Sequence, residues 1–363
     1  MTITIAGAGI AGLAAALAFA LQGRSVAVHE KAAAIEPIGA GIQVSPNAMH
    51  VLRRLGLERA LNAVASAPRS IRIADGVTGE PLTTVPLGRT IEKRFGAPYY
   101  SVHRGDLQAV MLDAARNSPN ITIHLGSPLD PEAAKGTPED PLVVASGLHA
   151  YPTGNVSAPK HTAWRALVPT SELPNGIDAS STGLWLAPEG HLVHYPVRSG
   201  QQTNVVLIVR HEADRTAPPA IRLAEKPAAL IATAGNWASW PVFAGSFDHS
   251  WTAAGTARIG DAAHPMLPYA AQGGAMAIED AWTLAHAFDP TNGPASLSRW
   301  EVERRRRVQA VAAVAERNRR IYHASGALRL ARNVAMRTVP VAALARGMDF
   351  VYSWTPSDMA ASP

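Results

Sequence analysis

The 363-residue chain contains no cysteine, and charged residues make up only 17% of it, against about 25% in an average globular protein. Without cysteine there is no disulfide framework, no thiolate metal ligand and no cysteine nucleophile. The hydrophobic content of 47% excludes intrinsic disorder, and the length suggests two domains or one large one. The net charge of +5 fits small anionic ligands as well as it fits nucleic acid, and we predict no nucleic-acid partner because we interpret its main basic cluster as a solvated helix face. Part of this charge lies in residues 304–307, four consecutive arginines that we interpret as a solvated helix face.

Charge is also absent from the first 23 residues, and Arg24 is the first charged side chain. An apolar run of this length raises a transmembrane helix or a signal peptide as possibilities. No basic segment precedes the run, however, and glycines interrupt it at Gly7, Gly9 and Gly12. We therefore expect neither a membrane segment nor a signal peptide, and we predict a cytoplasmic protein.

The chain begins with segments that are typical of a β-α-β unit. Thr2 to Ala6 and Ser25 to His29 have strand composition, and the Ala/Leu-rich segment between them has helix composition. From about residue 162 to 209 the pattern changes to short strands of a mostly antiparallel sheet, and helical composition returns from residue 274. The sequence predicts an α/β fold with a Rossmann-like dinucleotide-binding domain (residues 1–70, 100–160 and 250–325), an interleaved β-rich substrate domain (71–99 and 161–249) and a C-terminal helical tail (326–363).

The segment Gly7-Ala8-Gly9-Ile10-Ala11-Gly12 is a GxGxxG motif between the first strand and the first helix. Its first glycine permits a tight turn, the second lets a pyrophosphate approach the backbone, and the third lets helix and strand pack closely. The free N–H groups at the start of the helix attract an anion. Glu30 ends the second strand, where a carboxylate can bind ribose hydroxyls. The motif predicts a dinucleotide with free ribose hydroxyls, such as NAD or FAD.

A second motif spans residues 260–281, which read GDAAHPMLPYAAQGGAMAIEDA. It resembles the flavin-side motif of the FAD-dependent aromatic hydroxylases, the flavoprotein monooxygenases similar to p-hydroxybenzoate hydroxylase. The stretch HPMLPYAAQG is especially similar to the branch of salicylate, 3-hydroxybenzoate and 6-hydroxynicotinate hydroxylases. Segments at residues 39–48, 103–107 and 162–165 match the same family in the same order. The resemblance covers roughly residues 1 to 325.

This resemblance implies a single-component monooxygenase, either monomer or homodimer, with FAD as cofactor and NADH or NADPH as co-substrate. It would place one atom of O2 on an aromatic ring, a phenolic acid or a hydroxylated N-heteroaromatic, through a flavin C4a-hydroperoxide. Asp261 would hydrogen-bond the ribityl chain, Arg104 would contact the phosphates or the ribityl chain, and the N–H groups around Gly273 would face the flavin pyrimidine. The cofactor-binding residues implied are Gly7, Gly9, Ile10, Ala11, Gly12, Glu30, Lys31, Gln43, Arg104, Asp261, Pro268, Gly273, Gly274 and Ala275.

Candidate catalytic residues lie in the strand around His191 and Tyr195, which are four residues apart and therefore point to the same face. A neutral histidine is a suitable base for drawing a phenol toward phenolate, and Tyr195 would orient the substrate. The alternative is that both are ordinary strand residues at a domain interface. Tyr269 and Gln272 are predicted to line the substrate pocket. Either Arg165 or Arg210 could pair with a substrate carboxylate, and no metal site is predicted.

One family motif departs from the pattern at Ser146, which stands where the family carries an aspartate after a core strand. The hydroxyl keeps a hydrogen bond but loses the charge, so lower FAD affinity is expected. Two alternatives to an enzyme that hydroxylates a simple phenolic substrate remain open. One is the same fold acting on a larger scaffold, by epoxidation or by hydroxylation of a polyketide or antibiotic. The other is a degenerate flavin-binding member with little catalysis.

Overall fold

The computed structural model describes residues 1–36, 39–130, 134–137, 139–152, 157–212, 215–253, 255–289 and 293–356. The strands are β1 (Thr2–Ala6), β2 (Ser25–His29), β3 (Gly41–Val44), β4 (Ser70–Asp75), β5 (Pro81–Pro86), β6 (Tyr100–His103), β7 (Ile121–His124), β8 (Leu142–Val144), β9 (His161–Pro169), β10 (Thr182–Ala187), β11 (Gly190–Val197), β12 (Gln202–Arg210), β13 (Ala238–Val242), β14 (Thr252–Ala253) and β15 (Thr256–Arg258). The helices are α1 (Ile10–Leu21), α2 (Pro46–Arg54), α3 (Glu58–Val64), α4 (Arg89–Phe95), α5 (Arg104–Arg116), α6 (Glu225–Thr233), α7 (Gly273–Ala287), α8 (Gly293–Tyr322), α9 (Gly326–Thr338), α10 (Val341–Ala345) and α11 (Asp349–Tyr352).

A six-stranded sheet of order β14-β15-β8-β1-β2-β7 contains the predicted β-α-β unit. Its central strand β1 pairs in parallel with both β2 and β8. Helix α1 joins β1 to β2 and contacts α5 and α7. Ile3, Ile5 and Leu13 are fully buried, so the uncharged start of the chain is explained by burial on all sides. No described helix is long and apolar enough to cross a membrane.

A seven-stranded sheet of order β13-β9-β12-β11-β10-β4-β5 forms the second layer. Its long strands β9, β11 and β12 are antiparallel neighbours, whereas β10 pairs in parallel with β4. Strands β4 and β5 come from an early part of the chain and the others from its middle. The predicted fold class, a Rossmann-like unit interleaved with a β-rich unit, is therefore confirmed, while the domain boundaries given above stay a prediction.

A short two-stranded sheet of β3 and β6, which the sequence does not predict, connects the two larger sheets. The C-terminal segment is helical as far as it is described, and the predicted tail lies outside the described residues after residue 356. Helix α9 is anchored by the buried Asp75 at the end of β4, which accepts hydrogen bonds from Arg329 (2.6 and 2.8 Å) and Asn333 (2.6 Å). These charge-assisted bonds attach the end of the chain to the seven-stranded sheet.

Candidate active site

A cavity of about 1450 Å³ is lined by residues of both large sheets. It exceeds the roughly 300–1,000 Å³ of a typical small-molecule site, so it has room for a dinucleotide and a second small ligand. Most of the predicted site residues line it: Gly7, Gly9, Ile10, Ala11, Glu30, Lys31, Gln43, Arg104, His191, Tyr195, Asp261, Pro268, Tyr269, Gly273 and Gly274. Gly12, Ala275 and Gln272 do not line it.

At one end of the cavity, each glycine of the GxGxxG motif meets a different constraint. Gly7 has a φ of +103°, and a Cβ on Gly12 would lie 1.9 Å from the carbonyl oxygen of Gly7. A Cβ on Gly9 would meet no atom within 4 Å, so this backbone is open toward the cavity. The first helical bond of α1 runs from the N–H of Leu13 to Gly9, which leaves the preceding N–H groups free for an anion. Gly12 is therefore needed for close packing of the helix on the strand, and Gly9 lets a ligand approach the backbone.

Glu30 lies beside these glycines because β2 ends there. Its Oε2 accepts the N–H of Ala8 (2.8 Å), and its Oε1 accepts the N–H of Ala32 (2.9 Å). These bonds hold the carboxylate at the cavity wall, where acceptor positions remain for ribose hydroxyls. Lys31 lines the same wall. The hydroxyl of Ser146 donates a hydrogen bond to the carbonyl of Ala6 (3.0 Å).

The N-terminus of α7 is a second group of free donors in the cavity wall. The first helical bond of α7 joins the N–H of Met276 to the carbonyl of Gln272 (2.8 Å), so the N–H groups of Gly273, Gly274 and Ala275 precede the helical ladder. A Cβ on Gly274 would lie 2.5 Å from the Cδ1 of Ile42. Glycine therefore leaves room for the side chain of Ile42 of β3, which would have to move if position 274 carried a Cβ.

Three further predicted cofactor residues lie near this helix. Asp261 lines the cavity, and desolvation by the surrounding protein raises the pKa of its carboxyl. The side chain of Arg104 packs over Gly39, and its guanidinium has no hydrogen-bond acceptor among the described residues. Gln43 accepts a hydrogen bond from the hydroxyl of Tyr99. An unpaired cation, two sets of free N–H groups and an open glycine backbone together fit an elongated anionic cofactor.

Gln272, predicted to line the substrate pocket, lies instead in a buried polar network behind α7. Its Nε2 donates to the hydroxyl of Ser45 (2.9 Å), and its Oε1 accepts from Asn47 (3.1 Å). Asn47 also donates to Glu279 (2.7 Å). Because these partners are fully buried, Gln272 supports the start of α7 from behind and does not reach a ligand.

The four-arginine run of α8 also differs from its interpretation as a solvated face. Arg304 is 2% exposed and donates to Glu279 (2.8 Å) and Asp280 (2.9 Å). Arg307 donates to Glu279 as well (2.9 Å), and the buried His264 contacts Asp280. Arg304 and Arg307 thus neutralise acids inside α7, whereas Arg305 pairs with Glu301 of its own helix and Arg306 is exposed.

The other end of the cavity is the face of the seven-stranded sheet that carries His191 and Tyr195. The hydroxyl of Tyr195 donates to the carbonyl of Gly41 (2.7 Å). This bond ties β11 to β3, so Tyr195 forms the wall of the cavity and retains only acceptor capacity toward a substrate. Tyr269 lies beside this face with its ring 5.3 Å from that of His191.

His191 is 2% exposed and has two distinct ring environments. Its Nδ1 lies 3.0 Å from the Nε2 of His323, whereas its own Nε2 has no hydrogen-bond partner among the described residues. Burial and the nearby His323 and His161 lower the pKa of His191 well below its ordinary value. The ring is therefore neutral near pH 7, with a nitrogen available toward the cavity.

Arg165 is the cation on this face, whereas Arg210 is exposed and does not line the cavity. The guanidinium of Arg165 lies 5.3 Å from the ring centroid of Trp240, and its Nε is buried without a hydrogen-bond partner. Burial lowers the pKa of Arg165. No carboxylate pairs with it in the part of the chain that the structure describes, so those residues leave its charge uncompensated.

The fold and the cavity agree with the comparisons to known proteins. The family model described as FAD binding domain matches residues 1–137 and 245–315. The 3-hydroxybenzoate 6-hydroxylase 1 of Aquipseudomonas alcaligenes is 30% identical over 367 residues, covering 92% of this chain and 93% of the relative. This chain belongs to the FAD-dependent aromatic hydroxylases. The 3-amino-4-hydroxybenzoate 2-monooxygenase PtnB3 of Streptomyces platensis is 34% identical, with 85% of each protein covered.

Among solved structures, Klebsiella pneumoniae HpxO complexed with FAD and uric acid superposes with a TM-score of 0.80 at 22% identity, covering all of this chain and 97% of HpxO. That likeness supports the fold. The family assignment confirms the resemblance inferred from the sequence motifs, and it establishes the cofactor as FAD and the enzyme class as a monooxygenase. Members of this hydroxylase family use NADH or NADPH as the co-substrate.

Proposed function

We propose that this hydroxylase acts on a small aromatic acid that carries a ring hydroxyl, either a phenolic acid or a hydroxylated N-heteroaromatic. The observation that carries this proposal is the sheet face of the cavity, which presents one neutral histidine and one uncompensated arginine. His191 is the group that would accept a phenolic proton, and Arg165 is the group that would bind a carboxylate. The two hydroxybenzoate-acting relatives named above agree with such a substrate.

The strand register supports a single ring between these two groups. Val206 of β12 lies opposite Val193 on one side and opposite Arg165 on the other. Arg165 therefore lies two strands away from β11, level with Val193. His191 is two residues further along β11. This corresponds to about 12 Å between the two Cα atoms at usual strand spacings. Two side chains and one substituted benzene ring can fill that span, with the apolar Val206 beneath the ring.

FAD binding is assigned in this proposal to the opposite end of the same cavity. The open backbone at Gly9 and the first N–H groups of α1 would hold the pyrophosphate, and Glu30 would hold the ribose. Asp261 and Arg104 would hold the ribityl and phosphate portion, and the N–H groups of Gly273, Gly274 and Ala275 would face the flavin pyrimidine. When bound and reduced by NAD(P)H, the flavin supplies O2 activation and transfer of one oxygen atom.

The chain itself supplies binding, orientation and proton handling. The neutral Nε2 of His191 would draw the substrate hydroxyl toward phenolate, which makes the ring more electron-rich. Arg165 would fix the acid group and so decide which ring carbon faces the flavin. Lining residues such as Tyr269 and Val193 would exclude water around the ring. Cytoplasmic location and a monomeric or homodimeric state stay predictions of the sequence.

The experiment is to measure NADH and NADPH oxidation by FAD-loaded enzyme against a panel of aromatic acids, with identification of each product. We expect stimulation by one or more hydroxybenzoates or hydroxypyridine carboxylates, with incorporation of one oxygen atom. His191→Gln should keep the FAD spectrum and lose at least about 100-fold in hydroxylation rate. Stimulation only by a larger scaffold, such as a polyketide or an antibiotic, would favour that alternative substrate over a small aromatic acid. A flavin-loaded protein that no aromatic compound stimulates would contradict the proposal.

A further inference from the structure

His191 is connected to a second histidine on the side away from the cavity, and this contact has no counterpart in the sequence motifs. His323 follows α8 directly, and its Nε2 lies 3.0 Å from the Nδ1 of His191. The residue lies beyond the matched family segments, which end at residue 315. Its ring is only partly buried, whereas that of His191 is almost fully buried. The pair therefore connects the cavity with the protein surface.

A buried histidine that takes a proton from a phenol faces a difficulty. The positive charge of the imidazolium is disfavoured because burial already lowers the pKa of His191. No carboxylate of the described residues bonds to its ring, so that charge lacks the stabilisation that an aspartate gives in a catalytic triad. The base works well only if its second proton leaves on the opposite side at the same time.

We propose that His323 is the proton acceptor behind His191, and that the two histidines form a relay from the substrate hydroxyl to solvent. This inference rests on the proposed function and adds a residue to its site. His191 is the catalytic residue in this scheme because it touches the substrate, and His323 acts through it.

The protons balance over two linked transfers. The phenolic O–H proton moves to Nε2 of His191, and the proton on its Nδ1 moves to Nε2 of His323. His323 then holds the extra proton and releases one to solvent, leaving both rings neutral and the substrate as phenolate. His323 lies at the carbonyl end of the thirty-residue helix α8, and its N–H bonds to the carbonyl of Arg319 (3.2 Å). The negative end of the helix dipole favours a transient positive charge there.

Other charged and titratable groups face the pair. The ring of Tyr322 lies 5.2 Å from His191, and Tyr269 lies 5.5 Å from His323. The ring of His161 lies 5.2 Å from His323, with Arg319 nearby, and together with burial these groups lower the pKa of His323 to about 4. The further groups that act on His161 are Arg210, Lys160 and Glu316. The same burial disfavours positive charge on His323, so this residue must release a proton to solvent as it accepts one from His191.

The test follows ionisation of a bound phenol in FAD-loaded enzyme without NAD(P)H. The probe is 3-hydroxybenzoate, whose phenolate is detected by ultraviolet difference absorbance in a stopped-flow mixer at pH 7. His323→Ala should slow phenolate formation about tenfold or more, and added imidazole should restore it because His323 is reachable from solvent. His323→Gln should be equally slow, because the amide accepts the Nδ1–H hydrogen bond of His191 but cannot take the proton.

Two controls separate the relay from simple positioning. His161→Ala removes a ring that lies tilted against His323 without bonding to His191, and it should leave the phenolate rate unchanged or slightly raised. The dissociation constant for benzoate, which has no hydroxyl to ionise, should stay within about twofold of wild type in every variant. If His323→Gln restores the wild-type rate, or if His323→Ala never lowers it, His323 is not a relay. If His323→Ala loses FAD, the phenolate rate of His323→Gln alone decides whether His323 is a relay.

Failure of the underlying function has a different signature. Wild-type enzyme that neither ionises nor hydroxylates any phenolic acid would overturn the proposed function and the relay with it. Wild-type enzyme that ionises the phenol, beside His323 variants that do so equally fast, would overturn the relay alone.

Discussion

Replacing Arg165 by glutamine should separate binding from folding, because this arginine lacks an internal partner. Among the described residues its guanidinium contacts the face of Trp240, and its Nε is buried there without a hydrogen-bond acceptor. Removing it loses a cation–π contact of about 0.5–2 kcal/mol and relieves the desolvation cost of an unpaired cation, so the two effects oppose each other. We expect Arg165→Gln to change the free energy of unfolding by no more than about 1 kcal/mol.

Binding of an acidic substrate should respond very differently. Truncating one partner of a buried charge pair costs about 2–5 kcal/mol, which corresponds to a roughly 30- to 5,000-fold rise in dissociation constant. The matched ligand is the carboxamide of the same hydroxylated ring, which has the same shape and no charge. Its dissociation constant should differ by less than about threefold between wild type and Arg165→Gln. Both constants can be measured by titration of the flavin absorbance.

The matched control is Arg304→Gln, which removes a buried arginine that does have partners. Arg304 donates to Glu279 and Asp280, so its loss leaves two buried carboxylates uncompensated and should cost about 3–5 kcal/mol in urea unfolding. The reasoning is refuted if Arg165→Gln destabilises the protein as much as this control does. It is equally refuted if acid and amide ligands weaken by the same factor.

Three further outcomes are expected. Gly9→Val should fold with near-wild-type stability and lose flavin absorbance after purification, because its side chain occupies open cavity, whereas Gly12→Ala should lower the melting temperature because its Cβ has no space. Asp75→Asn should destabilise the protein more at neutral pH than at pH 2: burial alone would raise the pKa of Asp75, but its hydrogen bonds hold it below the unfolded value, so its contribution is complete above about pH 4 and shrinks as the pH falls further. Tyr195→Phe should lower the free energy of unfolding by about 1–3 kcal/mol in a denaturant titration, because the carbonyl of Gly41 loses its hydrogen-bond donor. Turnover should change little. A large fall in turnover at unchanged stability would instead indicate contact with substrate.

The cofactor end of the site could be predicted because its chemistry is local in the chain. The GxGxxG turn, the strand before it and Glu30 lie within thirty residues, so spacing alone brings them together. The same holds for the start of α7, where a glycine pair follows a proline-rich loop. Gln272 shows the limit of this reasoning: it is adjacent to lining residues in sequence, but helical geometry turns its side chain toward Ser45, more than two hundred positions away.

The substrate end was less predictable because it depends on pairing between distant segments. The period of two placed His191 and Tyr195 on one face, but it gave no information about what opposes that face. Tyr195 proved to bond to Gly41 because β3 crosses the sheet there, and β3 carries no strong strand signal. His323 follows a helix whose charge pattern indicates only solvent exposure. Long-range register, rather than residue type, decides which of these side chains meet.

The distribution of partners among the arginines shows which charges the fold completes and which it leaves to ligands. Arg304, Arg307 and Arg329 each meet a buried carboxylate of the chain, so their charges are compensated before any ligand binds. Arg104 and Arg165 line the cavity and donate no hydrogen bond to a carboxylate among the described residues, although Asp261 interacts electrostatically with Arg104. Because an uncompensated cation is costly in a closed site, each favours an anion brought from outside. The cofactor phosphates and the substrate carboxylate are two such anions, and they would enter at the two ends where these arginines lie. The small net charge of +5 is thus less informative than the places where positive charge has been left unpaired.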